Sequence, residues 1–417
     1  MQKVCITGMG LVSSLGNMPE ELFSELDKGS CNFKFFEEWE SYNGLETFVA
    51  APAKEFDDSS LPRNVRRSMS RMSTMAYDAT KSALKDAALS VGRNSEENDL
   101  FKPNHHRTLV IMGSTSGSPI FLEKYFKKMI ENGGPKGQLS TSFFKVMNHS
   151  VAANVALALG YSGPLISPSS ACSTSSQAVI MGAELIKAGL YDVVIAGGAD
   201  ELHYTSVSVF DVVKASSKNY NKEPLKIPGP FDANRDGLVV SEGAGIVVLE
   251  SESHVKERGG KVYAEFMGGA YFCDGIHMSQ PQAEQMSTTI EMALEKSGVS
   301  ASQVDYVNAH ATGTKVGDLQ EALAIKKAFP GQDIPVSSLK GHLGHSLAAC
   351  GSTELIAMVE MMKNKRMIAT RNISSVTDEF SGINILKENV NAEIEYAVSN
   401  NFAFGGMNTS FVIKNLM

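Results

Sequence analysis

Apolar positions along this chain follow two alternating rhythms. Short apolar runs at residues 4–7, 108–112, 192–196, 245–249, 305–308 and 411–414 are bounded by turn formers and read as buried strands. Spacings of three and four predict helices near residues 74–88, 173–188, 286–296, 319–329 and 346–362. This alternation predicts an α/β protein with largely parallel sheets. The helices starting near 173 and 346 each open with small residues after a strand and a turn, a weak internal echo. Residues 94–99 and 103–107 are polar and predict an exposed connection before the strand at 108.

The patterned segments carry candidate chemistry at their ends. Cys172 lies among small polar residues, Ser167-Pro-Ser-Ser-Ala-Cys-Ser-Thr-Ser-Ser, just before a helix whose face is built by Ala178, Val179, Met181, Leu185 and Ile186. Unpaired N–H groups and the positive end of the dipole favour a thiolate at a helix N-terminus, so the spacing predicts a thiol pKa below its free value. His310 follows an apolar run and enters a Gly/Thr turn, and His345 follows a second strand and a glycine-containing turn. Strand ends collect catalytic groups in α/β folds, and imidazoles there can donate to an oxyanion or move protons. Either residue type alone reads more simply as a packed cysteine or a hydrogen-bonded structural histidine.

Composition narrows the class. A chain of 417 residues, 43% hydrophobic and 20% charged, can bury a large core, and its 36 glycines suit many strand-to-helix turns. A net charge of −8 argues against a general nucleic-acid binder. Five scattered cysteines, Cys5, Cys31, Cys172, Cys273 and Cys350, do not form a disulfide framework and point to a reducing, cytoplasmic setting. No apolar run approaches the length of a membrane span, and the first residues read as strand and turn rather than signal peptide.

Several segments together carry a family resemblance. Ser-Ala-Cys172-Ser-Thr-Ser, Asn-Ala-His310-Ala-Thr-Gly-Thr, and Lys340 to His345 followed by Ala348-Ala-Cys-Gly351 resemble the Cys-His-His set of the β-ketoacyl-acyl carrier protein synthases. Pro230-Phe-Asp-Ala-Asn-Arg-Asp-Gly237, Ser241-Glu-Gly-Ala-Gly245, Ser399-Asn-Asn-Phe-Ala-Phe-Gly-Gly-Met-Asn408 and the opening Cys5 to Gly16 resemble further family segments in the same order. The likeness covers nearly the whole chain and is closest to elongating bacterial synthases of the type I and II kind.

The resemblance implies a thiolase-like α/β fold: two similar halves, residues 1–253 with the cysteine and 254–417 with the histidines, each a mixed, largely parallel five-stranded sheet around buried central helices. It implies a decarboxylating Claisen condensation that extends a carrier-bound acyl chain by two carbons. Cys172 would hold the acyl group, with backbone N–H groups of Cys172 and Phe404 as oxyanion donors; His310 and His345 would stabilise the enolate of malonyl-acyl carrier protein. Lys340 and Glu321 would form a supporting charged pair. Phe404 would gate the cysteine within Phe402-Ala-Phe-Gly405-Gly406, and Thr312 and Thr314 would hold the phosphopantetheine arm that the acyl carrier protein brings. No cofactor or metal bound by the protein itself is implied. The partners would be acyl carrier protein and a second copy of the chain, or a related subunit. An acidic carrier would meet basic clusters at Arg63, Arg66 and Arg67 and at Lys127, Lys128 and Lys136, read otherwise as solvated helix faces.

Competing motifs fail on spacing. Gly8-Met-Gly10 has its third glycine at Gly16 instead of position 13, which breaks a dinucleotide fingerprint. Asp232 to Gly237 resembles the start of a calcium loop, but position twelve is Gly243. His342, His345 and Cys350 lack the second Cys/His pair of a tetrahedral zinc site. Departures from the family pattern leave the acyl donor open: Ala311, Ser241, Leu238, Ala403, Met407 and the segment Gly341-His-Leu replace its usual residues, and Met407 and His342 could reshape the acyl pocket. A specialised ketosynthase of a polyene or polyketide pathway is therefore the first alternative. A non-catalytic partner subunit resembling a chain-length factor is disfavoured by the presence of Cys172, His310 and His345 together. A non-decarboxylating thiolase is disfavoured because Cys350, expected inside a helix, is poorly placed as a second cysteine.

Overall fold

Runs of β-branched and small apolar residues build the strands that carry the site. In the computed structural model, which describes residues 2–56, 61, 63–89, 104 and 106–417, eleven strands share one sheet. The expected exposed connection lies outside these residues except at 104, 106 and 107. The strands are β1 (Val4–Val12), β2 (Thr108–Gly113), β3 (Leu165–Ile166), β4 (Val193–Asp200), β5 (Gly243–Ser251), β6 (Ala264–Cys273), β7 (Tyr306–Asn308), β8 (Pro335–Ser337), β9 (Asn384–Ile385), β10 (Tyr396–Ala403) and β11 (Met407–Asn415). The helices used below are α1 (Arg71–Asp86), α2 (Pro119–Glu131), α3 (Ser140–Val146), α4 (Thr174–Lys187), α5 (Tyr204–Val212), α6 (Ala283–Ser297), α7 (Lys315–Ala328), α8 (Lys340–Leu343) and α9 (Cys350–Asn364).

Across the sheet the strands run β9-β8-β7-β10-β11-β6-β1-β5-β4-β2-β3. The first five in sequence and the last six each form a continuous block, and the blocks fuse where β1 meets β6 through Cys5↔Glu265 and Ile6↔Ala264. Two five-stranded sheets were expected; β9 adds a sixth strand to the second block, and the fusion makes one sheet. The sheet is mixed, as the resemblance implies, but its parallel share is smaller than the strand and helix alternation suggested. Parallel ladders occupy the two flanks, and the six central strands from β10 to β4 pair antiparallel with one another. The reason is local: a tight turn returns β10 directly into β11, and no helix intervenes to make that pair parallel.

Helices α4 and α9 run through the middle of the largest apolar cluster, α4 with Ala178, Val179, Ile180, Ala183 and Ile186, and α9 with Leu355, Ile356, Met358, Val359 and Met361. Residues 350–362 of α9 are all buried, so this helix carries no solvent face. Each central helix is entered by a tight turn whose first residue has positive φ, Ala171 at 48° and Leu347 at 52°. Left-handed backbone costs a residue with a side chain about 1–2 kcal/mol, a strain the buried surroundings maintain at both turns. The weak echo in the sequence is thus a repeated strand-turn-helix unit. Among the described residues no helix is long and apolar enough to cross a membrane.

Candidate active site

The candidate catalytic groups meet where these turns and the strand ends converge. Cys172 is the middle residue of the Ala171–Ser173 turn, and the Ser173 hydroxyl lies 2.9 Å from the Asn401 carbonyl and 2.6 Å from that of Met407, tying the turn to the β10/β11 hairpin. His310 leaves the end of β7. His345 follows α8, a short helix standing between it and β8, and is fixed by main-chain bonds from its N–H to Val239 (2.7 Å) and from Ser241 N–H to its carbonyl (2.9 Å). Cys172, His310 and His345 are all buried, and their ligand atoms lie within 4.8 Å of one another.

Hydrogen bonding fixes where the imidazole protons sit. The Leu347 N–H donates to His345 Nδ1 at 3.3 Å, so the neutral ring carries its proton on Nε2, 2.9 Å from Cys172 Sγ. Asn401 Nδ2 approaches His310 Nδ1 at a longer 3.4 Å and favours the same tautomer there. Burial, reinforced by the Lys340 charge, holds both imidazoles well below their usual pKa. Both rings are therefore neutral and present Nε2–H donors. The same tautomers speak against a metal on this Cys-His-His set, because a cation would need lone pairs where the protons lie.

The cysteine departs from the sequence expectation. Burial pushes its thiol up to about 12, outweighing the lowering by the Lys340 charge and by the N–H groups of Cys172 and Phe404. Those two N–H groups act on the sulfur together, so the pair expected to hold an oxyanion converges at the nucleophile. A helix terminus lowers a thiol pKa where water or cations assist it, and this sulfur has lost the water.

The expected Lys340–Glu321 pair does not form. Lys340 Nζ instead binds Glu354 Oε1, and both side chains are 2% exposed. Glu321 accepts the N–H groups of His310 (2.8 Å) and Ala311 (2.6 Å), and burial pushes it up to about 8. It therefore acts on the histidine loop through the backbone. Helix rotation decides the pairing: α9 turns Glu354 toward Lys340, while α7 turns Glu321 under the loop after β7. Glu354 also accepts from Asn401 Nδ2 at 2.8 Å, which links it to His310. Sequence reasoning missed Glu354; its signal was an acid inside an otherwise apolar central helix, where a charge needs a partner. It also missed Asp200, which ends β4 after Gly197-Gly-Ala, accepts the Ala348 N–H at 2.9 Å and is pushed by burial up to about 6.

Cys350 opens α9 rather than lying within it, and its thiol is 3.1 Å from the Cys172 carbonyl. It is adjacent to the site, and burial holds its thiol, like that of Cys172, above its usual pKa.

A cavity of about 460 Å³ opens onto Cys172 and both histidines. Thr312, Thr314, Phe402, Phe404 and Gly406 line it as expected, and the two threonine hydroxyls are 3.1 Å apart. Gly405 shares the turn but not the lining; its N–H donates to the Met278 carbonyl at 2.8 Å. Phe404 packs against Phe210 with ring centroids 5.5 Å apart, beside the cysteine. Leu238 and Ala403 also line the cavity, whereas Met407 packs against the Cys172 and Cys350 cluster from outside it. His342 does not reach the cavity: α8 turns it away, and its ring nitrogens face the carbonyls of Ser30 (3.1 Å) and Ala369 (3.0 Å). Arg63, Arg66, Arg67, Lys127 and Lys136 are exposed and Lys128 is half-buried, but none of the six lines the cavity.

Residues 1–255 match the N-terminal domain of β-ketoacyl synthases, and residues 263–374 match their C-terminal domain. The chain belongs to the β-ketoacyl synthase family. It is 34% identical to 3-oxoacyl-[acyl-carrier-protein] synthase 1 of Haemophilus influenzae over 99% of both chains, and 34% identical to the Escherichia coli K12 synthase of that name over the whole of both. A solved β-ketoacyl synthase from Burkholderia phymatum superposes with a TM-score of 0.93 at 38% identity, covering both chains completely. The fold is the thiolase fold.

Proposed function

We propose that this chain is an acyltransferase that condenses a cysteine-bound acyl group with malonyl-acyl carrier protein, in fatty acid synthesis or a related pathway. The observation that carries the reading is the convergence on one sulfur of two backbone N–H donors and two neutral imidazoles with their Nε2 protons turned toward the site. Residues 1–253 and 254–417 serve as its two halves, the first supplying the thiol and the second the imidazoles, in a reducing cytoplasm.

Three steps follow from that geometry. Cys172 Sγ attacks the acyl thioester; the oxyanion rests on the N–H groups of Cys172 and Phe404, the carbon–sulfur bond to pantetheine breaks, and the thiol proton passes to the departing thiolate. Malonyl thioester then loses carbon dioxide, and the electron pair of the broken carbon–carbon bond moves into an enolate whose oxygen accepts from the Nε2–H groups of His310 and His345. The enolate carbon attacks the Cys172 thioester, the second oxyanion uses the same backbone donors, and collapse releases the β-ketoacyl product and a cysteine thiolate that takes up a proton. Lys340 and Glu354 hold the field around the histidines, and Phe404 covers the cysteine between steps. Thr312, Thr314, Phe402, Gly405 and Gly406 shape the path of the arm. Arg63, Arg66, Arg67, Lys127, Lys128 and Lys136 would meet the acidic carrier away from the cavity.

A specialised donor is the second reading, favoured by Leu238, which lines the cavity where the family pattern has an aromatic residue. Intact-mass analysis with a panel of acyl carriers, followed by malonyl carrier, tests both. An adduct on the wild type, absent from Cys172→Ala and discharged as a product two carbons longer, is expected, and the best donor separates the two readings. No adduct with any donor would leave the non-catalytic subunit as the better account.

A further inference from the structure

His310 offers a proton from Nε2 only while Nδ1 is held as an acceptor, and among the described residues one polar side-chain atom faces Nδ1, the amide nitrogen of Asn401 in β10. Asn401 is 0% exposed, so its two N–H groups and its oxygen need partners within the protein. Those partners decide which end of the amide is which. Ser176 Oγ lies against Oδ1, and Glu354 Oε2 lies 2.8 Å from Nδ2. Glu354 is ion-paired with Lys340 and, as a carboxylate, can only accept, so the nitrogen faces it and the oxygen takes the Ser176 hydroxyl. One N–H is thereby committed to Glu354. The other remains for His310 Nδ1 at 3.4 Å and Cys350 Sγ at 3.6 Å. We infer that Asn401 is the positioning residue that holds the proton of His310 on Nε2; the role rests on the condensing reading above, in which that proton meets the enolate oxygen.

The seat leaves the amide no second orientation. Turned over, it would set its oxygen against Glu354 Oε2, two buried acceptors with no proton between them. A Cβ on Gly351 would lie 2.7 Å from Oδ1, so α9 packs directly on the amide. The Asn401 carbonyl accepts from Ser173 Oγ (2.9 Å) and Thr409 Oγ1 (3.0 Å), which fixes the main chain as well. Glu354 is itself filled: Oε1 takes Lys340, and Oε2 takes Asn401 and, at 3.3 Å, Asn308. The charge therefore stays with Lys340, and His310 receives a neutral donor. A carboxylate against Nδ1 would draw the proton there, and Nε2 would present a lone pair to the enolate oxygen. Cys350 extends the chain of contacts, since its thiol is 3.1 Å from the Cys172 carbonyl and the amide thus borders the nucleophile's turn too.

Nitrogen NMR of protein labelled with 15N-histidine, with His310 assigned by its loss in His310→Gln, reads the tautomer directly. In the wild type His310 should carry its proton on Nε2. Asn401→Asp keeps the shape of the side chain and replaces the donor: two carboxyl groups at this distance share one proton, and oxygen lone pairs are left facing Nδ1. The His310 signals should then move to the Nδ1–H pattern. Carbon dioxide release from malonyl-acyl carrier protein should fall about 100-fold in kcat with little change in KM, as loss of one oxyanion donor does. Acylation of Cys172, read by intact mass, should stay close to that of the wild type, because its oxyanion rests on backbone donors. Asn401→Ala, with neither donor nor acceptor, should give a mixture of tautomers and a smaller loss. A wild type protonated on Nδ1, or His310 signals that move in neither variant, would overturn the role and leave Asn401 a structural bridge; should neither variant fold, the wild-type tautomer alone decides. A wild type that releases no carbon dioxide and takes no acyl group would instead remove the synthase reading, and this role with it.

Discussion

At Cys172, a helix entry and two backbone N–H groups favour the anion, and complete burial opposes it and prevails. With the pKa raised to about 12, thiolate is scarce at neutral pH and grows about tenfold per pH unit until that value. Iodoacetamide labelling of Cys172, followed by peptide mass spectrometry so that exposed Cys273 is scored separately, should therefore rise about tenfold per unit from pH 6 to pH 9. A plateau near neutrality would show that the helix terminus wins after all. The three candidate catalytic residues, which the structure brings together, were legible because chemistry-bearing side chains stood in small-residue turns beside apolar runs. Their electrostatics were not, since burial and the partners of Lys340, Glu321 and Glu354 depend on how whole helices are rotated, which local spacing does not encode.

Between elements, the tightest constraint is the crossing of α4 and α9. A Cβ on Gly351 would overlap Ser176 Oγ and lie 2.7 Å from Asn401 Oδ1, the same asparagine that contacts His310 and Glu354. Gly351→Ala should destabilise the protein by about 1–3 kcal/mol, as overpacking of a filled core does, and should reduce Cys172 acylation together with it. Urea unfolding and intact mass measure the two effects; unchanged stability would mean that the helices part without cost. All five predicted helices form, with ends shifted by a few residues, because an apolar stripe survives uncertainty about caps. Strands β6 and β10 escaped notice: Gly268-Gly269 interrupts the apolar run of β6, and Asn400-Asn401 puts buried polar residues inside β10, where they serve the site.

At the scale of the molecule, α2 and α3 leave a large apolar surface uncovered. Phe126, Ile130, Leu139, Phe143 and Phe144 are 51%, 80%, 67%, 55% and 53% exposed, and β3 is an edge strand of the sheet. Light scattering should give twice the 44.8 kDa chain mass, and Phe143→Glu/Phe144→Glu should return a single chain. A wild-type monomer that pairs only when a related subunit is added would identify a heterodimer instead.

The fused sheet also has a consequence for biosynthesis. The thiol belongs to the first block of strands, whereas the imidazoles and the Phe404 N–H belong to the second, which joins the first along β1 and β6. A ribosome that has just made Cys172 must add 232 more residues before Phe404 exists. A growing chain thus carries its reactive sulfur for most of its synthesis without the donors that would stabilise an acyl adduct, and competence arrives only when the last strands close the sheet.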